Sequence, residues 1–272
     1  MTDRRPAGES RVVEPTDDAP VAASEHDDGF RPVPVLRAFL PFGIVALVIP
    51  LIAGLTFTGF LFTSGATSQN FHHVFYLFDV GREYNIPTWY SSMLWALLGL
   101  LALFIATQAG RLRASWVLLG IVGLAASIDE YQELHERLDS IGFVLREYLP
   151  FYVPFPWLTV GVPLALLVGL LLLPLVLSLP RRTTTGILSA GTLFLTGAVG
   201  VELMSGYVLA DNEWMVDWKY ILVTLIEETL EMLGISLAVA SLLSLFERDP
   251  ATGQWRVVQL QPRRRAARPA AA

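Results

Sequence analysis

Long apolar runs alternate with short polar segments along this chain. Six runs approach or exceed the roughly 20 residues that a helix needs to cross the hydrocarbon core of a bilayer. They cover residues 36–62, 87–107, 115–138, 157–179, 186–210 and 220–246. Because a backbone in lipid must satisfy its own hydrogen bonds, the runs predict an all-α fold, a polytopic integral membrane bundle of about six transmembrane helices. Five spans with one re-entrant segment are the alternative.

The two ends of the chain lack this apolar periodicity. Residues 1–33 are rich in Asp, Glu, Arg, Pro and Ala, and residues 248–272 carry an arginine cluster among Pro and Ala. Segments of such composition bury too little apolar surface to fold. We therefore expect a disordered N-terminal tail (1–33) and a disordered basic C-terminal tail (248–272) on either side of a helical domain, residues 34–247.

Arginines orient the predicted spans. With six spans, Arg37, Arg113, Arg182 and Arg248 all fall on one side of the membrane. Basic residues accumulate in cytoplasmic loops. The pattern predicts that both termini are cytoplasmic and that the chain lies in a cell inner or plasma membrane.

Composition narrows the partners and the chemistry. The chain is 53% hydrophobic and 16% charged, with a mean hydropathy of +0.52, as in multi-pass membrane proteins. The absence of cysteine excludes disulfides, thiolate metal sites and thiol catalysis. A basic tail beside a membrane helix is expected to face anionic lipid rather than nucleic acid. The expected partner is the lipid bilayer, and the oligomeric state stays open.

Seven carboxylates interrupt three of the apolar runs. They are Asp129, Glu130, Glu133, Glu202, Glu227, Glu228 and Glu231. At a minimum of roughly 2.5 kcal/mol for each charge at the bilayer centre, they total about 17 kcal/mol. Counting the helical rise along each span places them at or above the bilayer midplane. The sequence therefore predicts one acidic pocket in the outer half of the bilayer.

These carboxylates are candidate metal ligands. Asp129 and Glu133 share one helix stripe, as do Glu227 and Glu231, and carboxylates this close must be protonated, paired or bound to a cation. His135 joins them only if its helix unwinds, because an ideal helix places it more than about 100° away. The hypothetical ligand set is the seven acids with His135, which suits Fe, Mn or Zn. No organic cofactor motif is present.

Two structural interpretations of these acids are alternatives to a functional site. Asp129, Glu202 and Glu231 are alternatively neutral acids that hydrogen-bond neighbouring helices. Glu133 lies in the headgroup region if its span is short. Asp139 is expected to be a solvated charge of a loop or helix end. The aromatic residues of 151–157, which include Trp157, are expected to form an aromatic belt at the membrane interface. Residues 65–85 form the first predicted outer loop, and four of its residues are candidates for a lid over the pocket. These are His72, His73, Asp79 and Glu83.

Three segments resemble the motifs of a widespread group of bacterial multi-pass membrane proteins. They are FDVGREYNIPTWYSS (78–92), SIDEYQELHE (127–136) and EETLEMLG (227–234), against FD…E.N.PTWYSS, S.DE….HE and EE.LEM.G. The resemblance covers all spans after the first and implies no particular reaction. It does imply that the residues of the motifs are important for the protein. These are Asp79, Glu83, Asn85, Asp129, Glu130, His135, Glu136, Glu228 and Glu231.

Three functions are compatible with the sequence. The leading hypothesis is a metal-dependent membrane enzyme that acts on a lipid-like substrate near an aromatic rim. A cation or proton pathway is the second, although no acid lies clearly in the inner half of a span. The third is an accessory or sensing protein without catalysis.

Overall fold

The computed structural model describes residues 29–110 and 112–258, and the fold is mostly helical. The helices are α1 Val35–Phe62, α2 Gly65–Phe78, α3 Ile86–Gln108, α4 Arg113–Gln132, α5 Asp139–Arg146, α6 Leu158–Ser178, α7 Arg181–Leu195, α8 Glu202–Asp211 and α9 Trp218–Leu243. A 3₁₀ turn, Glu136–Leu138, precedes α5, and a π-helical segment, Thr196–Val201, joins α7 to α8. Most of both predicted tails and Arg111 lie outside the described residues.

Five helices in the described part of the chain are long and apolar enough to cross a membrane. They are α1, α3, α4, α6 and the continuous helix Arg181–Asp211. The sixth predicted run is also a single helix, α9 with 26 residues, but it carries three glutamates. The all-α prediction is confirmed.

Two predicted boundaries differ from the structure. The run 115–138 was expected to continue as one helix, but α4 ends at Gln132 because Glu133 adopts a left-handed backbone with φ of 50°. The segment 65–85, expected to be a loop, begins with the 14-residue helix α2. Its apolar residues pack on α1, with the Phe57 and Phe75 rings 5.2 Å apart, which stabilises helix rather than loop.

Local capping fixes where α3 and α9 begin. The Asn85 side chain accepts a hydrogen bond from the Thr88 backbone N–H, and Pro87 occupies the first turn. The Asp217 side chain accepts from the backbone N–H groups of Lys219 and Tyr220. Both caps set the register of the polar residues that follow.

α9 is the central helix and packs against α1, α3 and α7. The apolar core includes Leu94 and Leu98 of α3 together with Met232 and Val239 of α9. Glycines allow α9 and the helix Arg181–Asp211 to approach each other closely. A Cβ on Gly197 would lie 2.8 Å from the Glu227 carbonyl oxygen, and one on Gly234 would lie 2.7 Å from the Phe194 nitrogen.

A small antiparallel sheet joins the beginning of α1 to the end of α9. Its strands are β1 Arg31–Pro32, β2 Phe246–Arg248 and β3 Trp255–Val257, in the order β1-β2-β3. The strands extend the ordered chain beyond both boundaries of the predicted helical domain, residues 34–247. Parts of both expected tails are therefore folded.

The beginning of α7 and the end of α3 also pack at this end of the bundle. The Arg182 guanidinium donates to the Ser244 carbonyl oxygen at 3.2 Å, and the Phe104 and Phe246 rings stack with centroids 5.9 Å apart. The beginnings of α1 and α7 therefore lie beside the ends of α3 and α9. We call this region, with the sheet, the arginine end.

The close approach at Gly197 gives a test of the packing. Gly197→Ala is expected to destabilise the protein by roughly 1–3 kcal/mol, because the added methyl group meets backbone atoms of α9. Gly191→Ala on the same helix is the matched control, since nothing lies within 4 Å of its added Cβ. Thermal unfolding in detergent measures both. Equal melting temperatures for the two variants would contradict this packing.

Candidate functional site

Carboxylates from four parts of the chain gather at the end of the bundle opposite the sheet. They come from the turn before α3, the last turn of α4, the first turn of α8 and the middle of α9. Electrostatic interactions connect them into one group. We define this acidic cluster as Glu83, Asp129, Glu130, Glu202, Glu227, Glu228 and Glu231, with His135.

The end of α4 places His135 against Asp129. Because the helix stops at Glu133, the chain turns back, and the His135 backbone N–H donates to Asp129 Oδ1 at 2.7 Å. The imidazole Nδ1 lies 3.1 Å from Asp129 Oδ2. The unwinding that His135 required is therefore present, whereas the predicted continuous stripe of Asp129 and Glu133 is wrong. With Nδ1–H directed at Asp129, Nε2 is left as the group able to accept a proton or a metal.

Trp157 connects this pair to α8. Its ring lies 4.7 Å from the His135 ring, and its Nε1–H donates to Glu202 Oε1 at 2.9 Å. The Trp157 backbone N–H donates in turn to Asp139 Oδ1 at 2.8 Å. Sequence reasoning assigned Trp157 to an aromatic belt and Asp139 to solvent. Trp157 instead contacts Glu202 and His135 of the cluster, and Asp139 holds the Trp157 backbone in place.

The glutamates of α9 form the middle of the cluster. The largest charge interactions of Glu228 are with Glu130 and Glu227, and those of Glu231 are with Glu228 and Glu130. Glu130 also interacts with Glu83 and with the Ser91 hydroxyl. Among the described residues, none of these carboxylates forms an ion pair with Arg or Lys. The cluster is therefore rich in like charges.

Two carboxylate oxygens of the cluster are buried without a partner. Glu83 Oε2 and Glu227 Oε2 have no hydrogen bond within the described residues, and the Glu227 side chain is only 8% exposed. Leaving a buried polar atom unsatisfied costs about 1–3 kcal/mol. These two atoms are the positions at which a proton or a cation would be most stabilising.

Two groups of the cluster that lie outside the helices, Glu83 and His135, have raised pKa values. Burial raises the pKa of Glu83 to about 7, a hydrogen bond with Thr88 opposes the shift, and the charge of Glu133 adds to it. Burial lowers the pKa of His135, but the hydrogen bond and charge of Asp129, with the charge of Glu202, raise it to about 9. At neutral pH the imidazole is therefore cationic and Glu83 is close to its midpoint.

Of the four residues predicted to form a lid, only Glu83 belongs to the acidic cluster. Gly81, in the same turn as Glu83, lies beside Thr224 of α9. Asp79 accepts from the Gly81 N–H at 3.3 Å and interacts with Arg82 and His72. His72 and His73 are exposed on α2 rather than in a loop. Glu133 lies at the turn after α4, near Glu83 and Glu136.

The ligand set predicted for a metal is present but not gathered around one point. Within residues 29–110 and 112–258, no group of three or more His, Asp or Glu side chains is close enough together to hold a metal ion. The donor atoms are nevertheless of the right type, with oxygens from α4, α8 and α9 and one imidazole. Side-chain rotation would be needed to bring three of them together.

Three hydroxyl-bearing residues of the site were not predicted from the sequence. Their hydroxyls lie beside carboxylates of the cluster, Ser91 beside Glu130, Thr88 beside Glu83 and Ser205 beside Glu227. Thr88 and Ser91 are spaced i and i+3, on one face of α3. That spacing, within the segment PTWYSS, is a signal that points to the cluster.

A family model matches residues 43–245 of this chain, a range that contains the whole acidic cluster. The chain belongs to the family described as Domain of unknown function (DUF8692). The match agrees with the resemblance to a family without an assigned reaction. No curated protein and no solved structure matches the chain. The comparisons therefore assign no chemistry to the acidic cluster of this DUF8692 member.

The Asp129–His135 pair makes the pH dependence testable. Because the folded pKa of His135 is above its ordinary value of 6.5, the pair stabilises the fold below that value and loses this contribution as pH rises through about 9. Asp129→Asn should lower the pKa of His135. Histidine NMR on chelator-treated protein, with assignment by His135→Gln, measures it. An unchanged pKa in Asp129→Asn would show that Asp129 does not hold the imidazolium.

Proposed function

We propose that the chain is a six-span protein of the inner or plasma membrane with both termini in the cytoplasm. The five apolar helices support this, and α9 has the length of a sixth span. The sheet supports an even number of crossings, because β1 precedes α1 and pairs with β2 after α9. The beginning of α7 lies at the same end, and the arginines there fit the cytoplasmic side.

We further propose that the acidic cluster binds a divalent metal. Six of its carboxyl groups lie within helices, namely Asp129, Glu130, Glu202, Glu227, Glu228 and Glu231. At roughly 2.5 kcal/mol each in a bilayer, their charges would cost about 15 kcal/mol. This reaches the upper end of the roughly 5–15 kcal/mol of net stability of a typical protein, so the charges need neutralisation. A divalent cation neutralises two carboxylates at once.

Two observations support particular ligands. Glu228 is the strongest candidate, because it interacts with Glu83, Glu130, Glu202 and Glu227. Glu227 contributes a buried oxygen without a hydrogen bond among the described residues. Carboxylates with one imidazole suit Fe, Mn or Zn, which would supply Lewis acidity for activating water or dioxygen.

The function that this geometry supports best is a metal-dependent membrane enzyme. The single observation that carries it is His135, held through its backbone and Nδ1 by Asp129 at the edge of the carboxylates. A histidine oriented by a carboxylate is the usual arrangement for a metal ligand or a general acid–base. The exposed aromatic side chains Tyr148, Phe151 and Trp218 near this end suit a lipid-like substrate.

One observation favours a proton or cation pathway as the second candidate. Buried hydroxyls continue along α9 from Glu231 toward the arginine end, at Ser236, Ser241 and Ser244, all 0% exposed. Ser244 is hydrogen-bonded to Thr183 at 2.8 Å, while Ser236 Oγ has no partner among the described residues. Hydroxyls can relay protons where carboxylates are absent, so the inner half of the bundle is not wholly apolar.

Metal content tests the leading proposal. The detergent-purified protein should contain Fe, Mn or Zn in stoichiometric amount by elemental analysis. Glu228→Gln should lose at least about tenfold in metal affinity, because it removes an anionic ligand from the centre of the cluster. Glu147→Gln is the matched control, since Glu147 is exposed at the end of α5.

A metal-free wild-type protein, after purification without chelators and reloading with each metal, would overturn the metal proposal. If such protein instead conducts protons or cations in liposomes, and Ser236→Ala lowers that flux, the pathway is the function.

Topology is tested separately with single cysteines, because the natural chain has none. A membrane-impermeant maleimide added to intact cells, with the outer membrane permeabilised where there is one, should label Ser140→Cys near the acidic cluster. It should label Ala251→Cys, between β2 and β3, only after lysis. Both positions are exposed in the fold. Labelling of Ala251→Cys in intact cells would contradict the proposed orientation.

A further inference from the structure

An apolar groove of about 450 Å³ lies at the arginine end, between the sheet and the first turns of α1. Val33, Phe42, Phe246 and Trp255 line it, and Arg37 is the charged residue in its wall. The Trp255 side chain is 58% exposed, so a large indole stands at the rim of the groove without being covered. The groove is distinct from the acidic cluster, which is at the other end of the bundle.

The register of the sheet adds two more arginines to this rim. Arg31 pairs with Arg248, and Arg248 pairs with Trp255 across the neighbouring strand. Side chains that are directly opposite share one face of a sheet. Because Trp255 lines the groove, Arg31 and Arg248 lie on the groove side, and the Arg248 guanidinium is 5.8 Å from the Trp255 ring.

No carboxylate among the described residues neutralises the arginines of the rim. Like charges directly opposite across strands repel. Glu247 lies on the other face of β2, where it binds Arg256 at 2.8 Å and Arg182 at 3.7 Å. Within the described residues, Arg31, Arg37 and Arg248 form no ion pair. Three cations therefore converge above an apolar groove.

We propose that this groove binds an anionic glycerophospholipid of the cytoplasmic leaflet. The phosphodiester lies among Arg31, Arg37 and Arg248, and an acyl chain lies between Phe42, Phe246 and Trp255. An aqueous anion would use the arginines but not the groove, whereas an uncharged lipid would leave the arginines repelling one another. Basic pockets at the cytoplasmic ends of spans are suited to such headgroups. The inference rests on the membrane placement proposed above and not on the metal.

Quenching of Trp255 by labelled lipid tests the site in the full-length protein. The protein is placed in phosphatidylcholine nanodiscs that contain increasing fractions of brominated phosphatidylglycerol or brominated phosphatidylcholine. The Trp255 emission is the difference between wild type and Trp255→Phe. Brominated phosphatidylglycerol should quench at a lower mole fraction. Arg37→Gln and Arg248→Gln should each weaken that preference on the order of fivefold, and added salt should also weaken it.

Arg181→Gln is the matched control, because Arg181 is exposed at the start of α7 and outside the groove. The control should retain the preference, and all variants should keep the wild-type melting temperature. Equal quenching by the two brominated lipids, or an equal loss in Arg181→Gln, would overturn the proposal. Quenching by neither lipid would also overturn it, since a protein segment then occupies the groove. Lipid preference in a protein without metal would leave this inference standing while the metal proposal fails.

Discussion

Carboxyl groups placed among apolar helices are costly unless something neutralises or hydrogen-bonds them, and the arrangement of this bundle depends on that constraint. The structure divides α9 accordingly. Its end beside the sheet carries the apolar core, with Met232 and Val239, whereas Glu227, Glu228 and Glu231 face the carboxylates of α4 and α8. Hydroxyls, backbone N–H groups and the Trp157 indole serve as donors, but two buried carboxylate oxygens have no partner among the described residues. Those oxygens are the positions at which a proton or a cation would be most stabilising.

Irregular backbone conformations occur next to residues of the acidic cluster. α4 stops at Glu133 in a left-handed conformation, Tyr84 in the turn before α3 has φ of 62°, and the π-helical segment directly precedes Glu202. Left-handed backbone is unfavourable for residues other than glycine, and π-helical turns are frequent at functional sites. Each irregularity redirects one side chain toward the others, His135, Glu83 and Glu202 respectively. Regular helices would have left these groups on separate faces.

Much of the fold is predictable from hydropathy, because long apolar runs fix helices to within a few residues. The spacing of the acids also predicts that α4, α8 and α9 share a site. Hydropathy did not locate the end of α4, since no glycine or proline marks Glu133. Hydropathy also could not identify strands of two or three residues. It placed Trp157 at the membrane interface, because an indole that forms a buried hydrogen bond has the same hydropathy as one at an interface. The partners of Asp139 and Ser91 depend on long-range contacts that no local pattern encodes.

Infrared spectroscopy of the carboxyl groups tests whether a metal replaces protons in the acidic cluster, because it separates protonated acids from carboxylates. In chelator-treated protein, we expect a protonated carboxylic acid band that decreases when Fe, Mn or Zn is added, with carboxylate bands rising in its place. Glu228→Gln should reduce this change. A band that stays constant as metal is added would show that the buried acids are permanent hydrogen-bond donors between helices and that the cluster is not a metal site.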